Sequence, residues 1–204
     1  MAMILYPMNS TGDLLNIHTH HPCAEGEQTI PAFGLHPWHV DEHWTLDHVL
    51  TLLPSDTDTF FFIGECGLDR VCAVPYALQL EAFQAQIALS EQLRRPLMLH
   101  CVRAQDDVMR LHQSATQPWV WHGFRGKPQQ LHQLVNAGFY LSFGWKHNPE
   151  SLKACPLNRL FLETDDSPTS IAPLYQLVAN ELGISVAQLV AQTWANLQDM
   201  QTRE

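Results

Sequence analysis

The sequence predicts an α/β fold, a single parallel (βα) barrel, and three observations lead to that prediction. Short, mostly apolar runs without alternation recur along the chain, and nearly all of them are followed by a polar residue. Such runs are typical of parallel strands that are buried on both faces. Segments with helical spacing of apolar residues separate the runs, which indicates βα units. Polar residues follow nearly every predicted strand. In an open sheet they would cluster at a single switch point, so a closed barrel is favoured over an open sheet.

Six apolar runs are the predicted strands. They are Leu14–Ile17 before His18, Phe60–Gly64 before Glu65, Leu97–Leu99 before His100, Trp119–Trp121 before His122, Phe139–Phe143 before Gly144, and Leu160–Leu162 before Glu163. The carboxyl ends of barrel strands meet on one face. The polar residues that follow these runs are therefore expected on that face.

Four helices are predicted from apolar residues spaced three and four apart, together with start and stop signals. They are a helix that Pro54 ends, a helix from Tyr76 that stops before Pro96, a helix from Pro128 to Gly138, and a helix opened by the capping-box spacing of Ser185 and Gln188. These helices fall between the predicted strands or after the last one, as βα units require.

Composition predicts one domain over residues 1–204, since a domain usually holds roughly 100 to 200 residues. The formal net charge is −10, from 11 basic and 21 acidic side chains, and the chain is 46% hydrophobic. Such a chain is neither disordered nor a simple electrostatic binder of nucleic acid, because an acidic surface repels a polyanion.

The spacing of the cysteines and the length of the apolar runs indicate the cellular compartment of the protein. The five cysteines lack CxxC spacing, which indicates neither a disulfide framework nor a thiolate metal site. Residues 1–11 lack the pattern of a signal peptide, and no apolar run is long enough to cross a membrane. We therefore expect a cytoplasmic protein.

Histidine is the unusual component, with 12 residues. His18 and His20 follow the first strand, and side chains two apart in an extended backbone point the same way. The polar ends of later strands add four groups that can bind metal, namely Glu65, His100, His122 and Asp165. Any one of them alone could be an ordinary hydrogen-bonded residue at the rim; the set of six favours a metal site.

The donor types and their number indicate the chemistry. Imidazole and carboxylate without thiolate suit zinc, manganese, iron or magnesium. Six ligands exceed the three that an open catalytic zinc site uses. Two ions about 3.5 to 4 Å apart fit the number better, and such a pair is typical of hydrolysis.

The motifs that carry these residues resemble one family. In chain order they are His18-Thr19-His20, Gly34-Leu35-His36-Pro37-Trp38, Gly64-Glu65-Cys66-Gly67-Leu68-Asp69, His100-Cys101, His122-Gly123-Phe124-Arg125-Gly126 and Glu163-Thr164-Asp165. Together they resemble the TatD family of metal-dependent deoxyribonucleases, within the amidohydrolase-like TIM-barrel enzymes. The resemblance runs from about residue 16 to 168.

The resemblance implies a role for each ligand. His18, His20 and Asp165 would hold one ion, and His100 and His122 would hold the second. Glu65 would bridge the two ions, and Asp165 would also orient or deprotonate the attacking water. The implied cofactors are two divalent ions, zinc, magnesium or manganese.

The resemblance and the positions of the basic residues also suggest substrate contacts. His36 would line the substrate pocket and contact a phosphate, although it could instead be a rim histidine that caps Trp38. Arg103 and Arg125 follow ligand-bearing strands and are candidate phosphate partners, with ordinary solvated loop charges as the alternative.

The sequence departs from the family pattern at several places. Asn16 stands where the family usually has aspartate, Val102 where it commonly has arginine, and Arg70 where it has an aromatic residue. Only 13 residues separate His20 from Gly34, too few for a further βα unit. We therefore expect a TIM-like barrel distorted to seven strands, and a short segment after Asp165 that leaves a more open mouth.

The sequence thus predicts a two-metal-dependent phosphodiesterase or deoxyribonuclease. It would be exonuclease-like and monomeric, and would act on DNA ends or short single strands by attack of metal hydroxide. One alternative is a metal-dependent hydrolase of a carboxylic ester, lactone or amide, for example an aminoacyl ester on tRNA. Another is a non-catalytic metal-binding protein. The sequence does not decide which metal is bound, whether the substrate is DNA or RNA, or in which direction the strand is digested.

Overall fold

The computed structural model describes residues 12–44, 46–51 and 53–201. Residues 1–11, where we expected no signal peptide, lie outside the described part. The described residues form two compact units, one that joins residues up to Ile30 to those from His122 onward, and one over Pro31–Trp121. The expectation of a single domain over 1–204 stays a prediction.

Strands and helices alternate along most of the described chain. The strands are β1 (Leu14–Asn16), β2 (Glu27–Thr29), β3 (Ala32–Phe33), β4 (Phe62–Asp69), β5 (Leu97–Val102), β6 (Trp119–Trp121), β7 (Tyr140–Phe143) and β8 (Leu160–Leu162). The α-helices are α1 (Leu46–Thr51), α2 (Tyr76–Leu93), α3 (Gln105–His112), α4 (Pro128–Ala137), α5 (Pro149–Ala154), α6 (Ala172–Leu182) and α7 (Val186–Gln201).

In the first unit, parallel strands bring the ends of β1 and β8 together. β1 pairs in parallel with β2, with Leu14 opposite Glu27, and β7 pairs in parallel with β8. The N–H of Ile17 donates to the carbonyl of Leu162 at 3.0 Å, which places β8 beside β1. The buried hydroxyl of Tyr175 on α6 donates to the carbonyl of Leu15 at 2.8 Å and ties the helix to this strand.

In the second unit, β3, β4, β5 and β6 are consecutive parallel neighbours. The side chains of β4, β5 and β6 are mostly buried, as the continuous apolar runs predict, whereas β3 has none that is fully buried. Phe83 on α2 packs edge-on against Trp119 on β6, with ring centroids 5.6 Å apart. The helix therefore covers the sheet through fully buried aromatic residues.

The predicted loss of a βα unit agrees with the short path between β1 and β4. In the described chain no helix lies between Asn16 and Phe33, and only Ile30 and Pro31 separate β2 from β3. β2 pairs with β1, and β3 pairs with β4. The described residues hold eight strands, in a two-stranded and a six-stranded sheet, and the distortion to seven strands stays a prediction.

All four predicted helices are present as α1, α2, α4 and α7. Gly138 ends α4 in the left-handed conformation, at φ 102°. The capping box at α7 is confirmed, because Gln188 N–H donates to Ser185 Oγ at 3.1 Å and Ser185 N–H donates to Gln188 Oε1 at 2.9 Å. The four predicted helices do not include α3, α5 or α6, and the side chain of Asn148 caps the N-terminus of α5.

Two predicted strand ends are corrected by the structure. β4 runs through Glu65 to Asp69, and β5 runs through His100 to Val102, so both ligand candidates lie within strands. The register of this pair shifts between Ile63 and Cys66. Apolarity alone placed the strand ends too early, because a strand continues wherever backbone pairing continues, whatever the side chains.

None of the helices in the described part of the chain is both long enough and apolar enough to span a bilayer.

Candidate metal centre

The first unit gathers three of the predicted ligands at the ends of β1 and β8. Nε2 of His18 lies 3.9 Å from Oδ1 of Asp165, and Nε2 of His20 lies 3.6 Å from the same oxygen. The two imidazole rings are 4.9 Å apart and nearly perpendicular. His18, His20 and Asp165 therefore turn one donor atom each toward a common point.

The spacing of these donors fits a shared cation. Two donors that each lie about 2.1 Å from one ion are at most about 4.2 Å apart. Both measured distances satisfy that limit, yet both exceed the usual length of a hydrogen bond. The donor set, two imidazoles and one carboxylate without thiolate, is also one that hard and borderline divalent ions accept. The residues present therefore fit a divalent ion.

His122 lies in the same unit, beside His18. Their ring centroids are 5.2 Å apart, and Nδ1 of His122 lies 3.4 Å from Oε1 of Glu163. One ligand atom each from His122, Glu163 and Asp165 lie within 4.8 Å of one another. Glu163 is thus the fifth acidic or imidazole group gathered here, and the predicted ligand set did not include it.

The pKa of Glu163 lies below its ordinary value although its side chain is buried. Burial by itself raises the pKa of this carboxyl group, but the interactions with His122, His18 and Ser142 together outweigh burial. A buried carboxylate paired with imidazoles keeps negative charge next to the predicted metal ligands.

In the second unit, Glu65 lies between two imidazoles. Its Oε1 is 2.8 Å from Nδ1 of His100 and 3.2 Å from Nε2 of His36. The His36 and His100 rings are 4.5 Å apart. These three residues form a second group of hard donors, each mostly buried.

Asp69 holds the other side of His100. Its Oδ2 lies 3.4 Å from Nε2 of His100 and accepts the indole N–H of Trp38 at 2.6 Å. Its Oδ1 accepts the backbone N–H of Val71 at 2.7 Å. Burial raises the pKa of Asp69, but these hydrogen bonds, led by that of Trp38, leave the pKa below its ordinary value.

The departure at Asn16 has a structural role. Asn16 Nδ2 donates to Thr164 Oγ1 at 2.9 Å, and Asn16 Oδ1 accepts the Thr164 N–H at 3.1 Å. Thr164 Oγ1 in turn donates to Thr19 Oγ1 at 3.0 Å. An asparagine supplies both the donor and the acceptor of this pair, which an ionised aspartate cannot do. Asn16 thereby joins the backbone around His18 to that around Asp165.

A family model described as TatD related DNase matches residues 9–202 of the chain. The TatD 3′-5′ ssDNA/RNA exonuclease of Erwinia tasmaniensis is 30% identical over 198 residues, which span 80% of this chain and 74% of that protein. The chain belongs to the TatD-related DNase family.

Solved structures show the fold of this TatD-family chain. A TatD family hydrolase from Entamoeba histolytica superposes with a TM-score of 0.74 at 19% identity, over 88% of this chain and 76% of that chain. YJJV, a TatD homologue from Escherichia coli K12, gives a TM-score of 0.73 at 21% identity, over 84% and 76%. The predicted fold class, an α/β TIM-like barrel, is confirmed, and so is the predicted enzyme class, a hydrolase acting on ester bonds.

The candidate substrate residues of this TatD-family chain lie in both units. Nδ1 of His36 accepts the N–H of Trp38 at 3.2 Å, as in the capping role that we considered, and its Nε2 lies 3.2 Å from Oε1 of Glu65. Arg125 lines a cavity of about 270 Å³ together with Lys146 and Asp165. The exposed Arg103 follows β5 in the left-handed conformation, at φ 54°. Phosphate contacts by these three residues stay predictions.

The cysteines beside the ligands are structural. Cys66 is fully buried with its Sγ 3.8 Å from the carbonyl of Met98, and burial raises the pKa of its thiol well above the ordinary value. Burial likewise raises the pKa of Cys101 to about 12. Neutral thiols are poor ligands, which agrees with the expectation that the site uses no thiolate.

Asp69 and Glu163 lie within the sequence motifs, but no role was predicted for either residue. The sequence nevertheless held a signal for each, its even spacing from a predicted ligand. Asp69 is four residues after Glu65 and Glu163 is two residues before Asp165, and even separations in an extended chain point side chains to one face. The contacts with His100 and His122, however, appear only when neighbouring strands are in place.

Proposed function

We propose that this TatD-family chain is a two-metal phosphodiesterase that removes nucleotides from the 3′ ends of single-stranded DNA or RNA. The observation that carries the proposal is the convergence of His18 and His20 on Asp165, at distances that suit a shared divalent ion. Family membership supports the phosphodiester substrate. The 3′-5′ exonuclease activity of the Erwinia relative supports the direction of digestion and the single-stranded substrate.

We propose His18, His20 and Asp165 as ligands of one ion, His100 and His122 as ligands of a second, and Glu65 as the carboxylate that both share. When bound, the two ions would supply Lewis acidity to a scissile phosphate and favour ionisation of the attacking water. Zinc, manganese and magnesium all accept these donors.

The contacts of His100 support a role for each of its two nitrogens. Nδ1 lies 2.8 Å from Oε1 of Glu65, itself a proposed ligand, and Nε2 lies 3.4 Å from Oδ2 of Asp69. With a metal bound, Nδ1 would be the nitrogen that holds it, and Nε2 would carry the proton toward Asp69. A carboxylate on the far nitrogen fixes the tautomer and orientation of a ligand histidine.

Asp165 is the proposed proton acceptor. Its side chain is about one quarter exposed, so solvent water reaches it. One oxygen faces the two histidines, which leaves the other to orient the attacking water and take its proton. Arg125 lines the same cavity as Asp165 and is the proposed partner of a phosphate oxygen.

The charge balance favours short, unpaired substrates. Two divalent ions would bring the formal charge of the protein from −10 to −6, which still repels a long duplex at a distance. We therefore propose action on strand ends, by a monomer in the cytoplasm. The lack of CxxC spacing among the five free cysteines supports that compartment.

Digestion of end-labelled oligonucleotides tests the proposal. Purified protein with manganese or magnesium should shorten a 5′-labelled single strand stepwise, and it should release the label of a 3′-labelled strand as a mononucleotide. Elemental analysis should find two divalent ions per chain. Chelation of the metal or the His122→Ala substitution should abolish digestion.

Two results would contradict the proposal. One is that both labelled strands stay intact while an acyl ester or lactone is hydrolysed, which would support the alternative hydrolase. The other is tight binding of two ions without turnover of any of these substrates, which would support a non-catalytic metal-binding protein.

A further inference from the structure

Trp38 exposes a large aromatic surface next to the candidate ligands of the second unit. Its side chain is 57% exposed. Its ring centroid lies 4.9 Å from that of His36 and 5.8 Å from that of His100, edge-on to both. The indole is therefore within the span of one nucleotide of the imidazole that we propose as a metal ligand.

The indole is held in place although it is exposed. The indole N–H donates to Oδ2 of Asp69 at 2.6 Å, and the backbone N–H of Trp38 donates to Nδ1 of His36 at 3.2 Å. Asp69 is itself buried and fixed by the backbone N–H of Val71. An exposed side chain usually samples several rotamers, whereas this one has its polar edge tied to a buried carboxylate. A ring fixed in this way loses little conformational entropy when a ligand covers it.

We infer that the exposed face of Trp38 stacks on a nucleobase of the substrate strand, beside the phosphate that is cleaved. The inference rests on the proposed function and specifies its substrate class as a strand with unpaired bases. Every base has a π face, so stacking tolerates all sequences and suits an exonuclease that must accept each base in turn. A paired base within a duplex has no free face for the indole.

The competing role for Trp38 is purely local, that of a hydrogen-bond donor that keeps Asp69 in position. The variants Trp38→Ala and Trp38→Phe separate the two roles, because both lose the indole N–H and only phenylalanine keeps an aromatic face. Leu177→Ala is the matched control. Leu177 is an exposed apolar residue on α6, in the other unit and outside the groups described above.

The first measurement compares single strands that differ only at their 3′ end. One carries normal bases at the last two positions, and the other carries abasic nucleotides there. Wild-type protein, Leu177→Ala and Trp38→Phe should cleave the normal strand roughly 5- to 100-fold more efficiently in kcat/KM, the range expected of one base stack. Trp38→Ala should lose most of that preference.

The second measurement needs no turnover. The holoenzyme is mixed with a strand that carries 2-aminopurine at its 3′ end and phosphorothioate linkages that resist cleavage. Its fluorescence should be quenched by wild-type protein and by Trp38→Phe, but not by Trp38→Ala. Thermal melting of each variant checks that it is folded.

Failure of the inference differs from failure of the proposed function. If the normal strand is cleaved but both Trp38 variants lose the same factor on both substrates, Trp38 acts through Asp69 and the stacking inference is wrong. If the wild-type protein cleaves no strand, the proposed function fails, and the quenching result alone then decides whether Trp38 binds a base.

Discussion

Asp165 and His18 are joined through the backbone as well as through their side chains. The N–H of Asp165 donates to the carbonyl of His18 at 3.2 Å, and the N–H of His20 donates to the carbonyl of Asp165 at 3.0 Å. These two hydrogen bonds continue the pairing of β1 with β8 past the ends of both strands. Thr19 and Asp165 form a parallel β-bridge there. The three side chains are therefore positioned by paired backbone, which is stiffer than a free loop.

Asp165→Asn should reduce phosphodiesterase activity by at least about 100-fold, because the amide neither accepts a proton nor balances the charge of an ion. Metal content should fall as well, measured by elemental analysis after gel filtration. The neighbouring exposed Asp166 offers the control, since Asp166→Asn changes the same overall charge. Equal losses in both variants would show that charge alone matters.

Asp69→Asn should weaken metal binding by about 10- to 100-fold, because the proton on Nε2 of His100 would lose its carboxylate partner. Competition with a coloured chelator measures this affinity directly. The exposed Asp106 on α3 provides Asp106→Asn as a control of equal charge. A loss of thermal stability with unchanged metal affinity would count against this positioning role.

Gly67→Ala should destabilise the protein by roughly 3 kcal/mol or more. Gly67 lies between Glu65 and Asp69 on β4 at φ 143°, and a Cβ there would overlap the carbonyl oxygen of His100. Gly138→Ala is the comparison, because that glycine also has positive φ but open space around it, and about 1 kcal/mol is expected. Urea unfolding measures both, and similar costs would show that the close approach to His100 is tolerated.

Glu91→Gln should cost about 1 kcal/mol at neutral pH, and the cost should vanish in acid. Burial raises the pKa of Glu91, but hydrogen bonds from the side chain and N–H of Thr116 and from the N–H of Gln117 outweigh burial, so the pKa lies below its ordinary value. A lowered folded pKa stabilises the protein above pH 4.5, and this stabilisation is lost as pH falls through the folded value. Urea unfolding at several pH values checks this, and a difference that persists in acid would contradict it.

The helices that the sequence predicted carried two signals each. α4 and α7 have apolar spacing together with an explicit start or stop, as at Gly138 and Ser185. α5 has only six residues, too few for an apolar period to be recognised, and its cap at Asn148 was its one local signal. The strand run before His122 was placed correctly because a loop follows it directly.

The sequence by itself determined the βα order, the ligand types and the family, because these depend on apolar period, donor chemistry and motif order along the chain. Only the tertiary structure decided which groups touch. The contacts of Glu65 with His100 and of Asn16 with Thr164 join residues 35 and 148 positions apart. Their distances are set by strand register and packing, which local sequence does not encode.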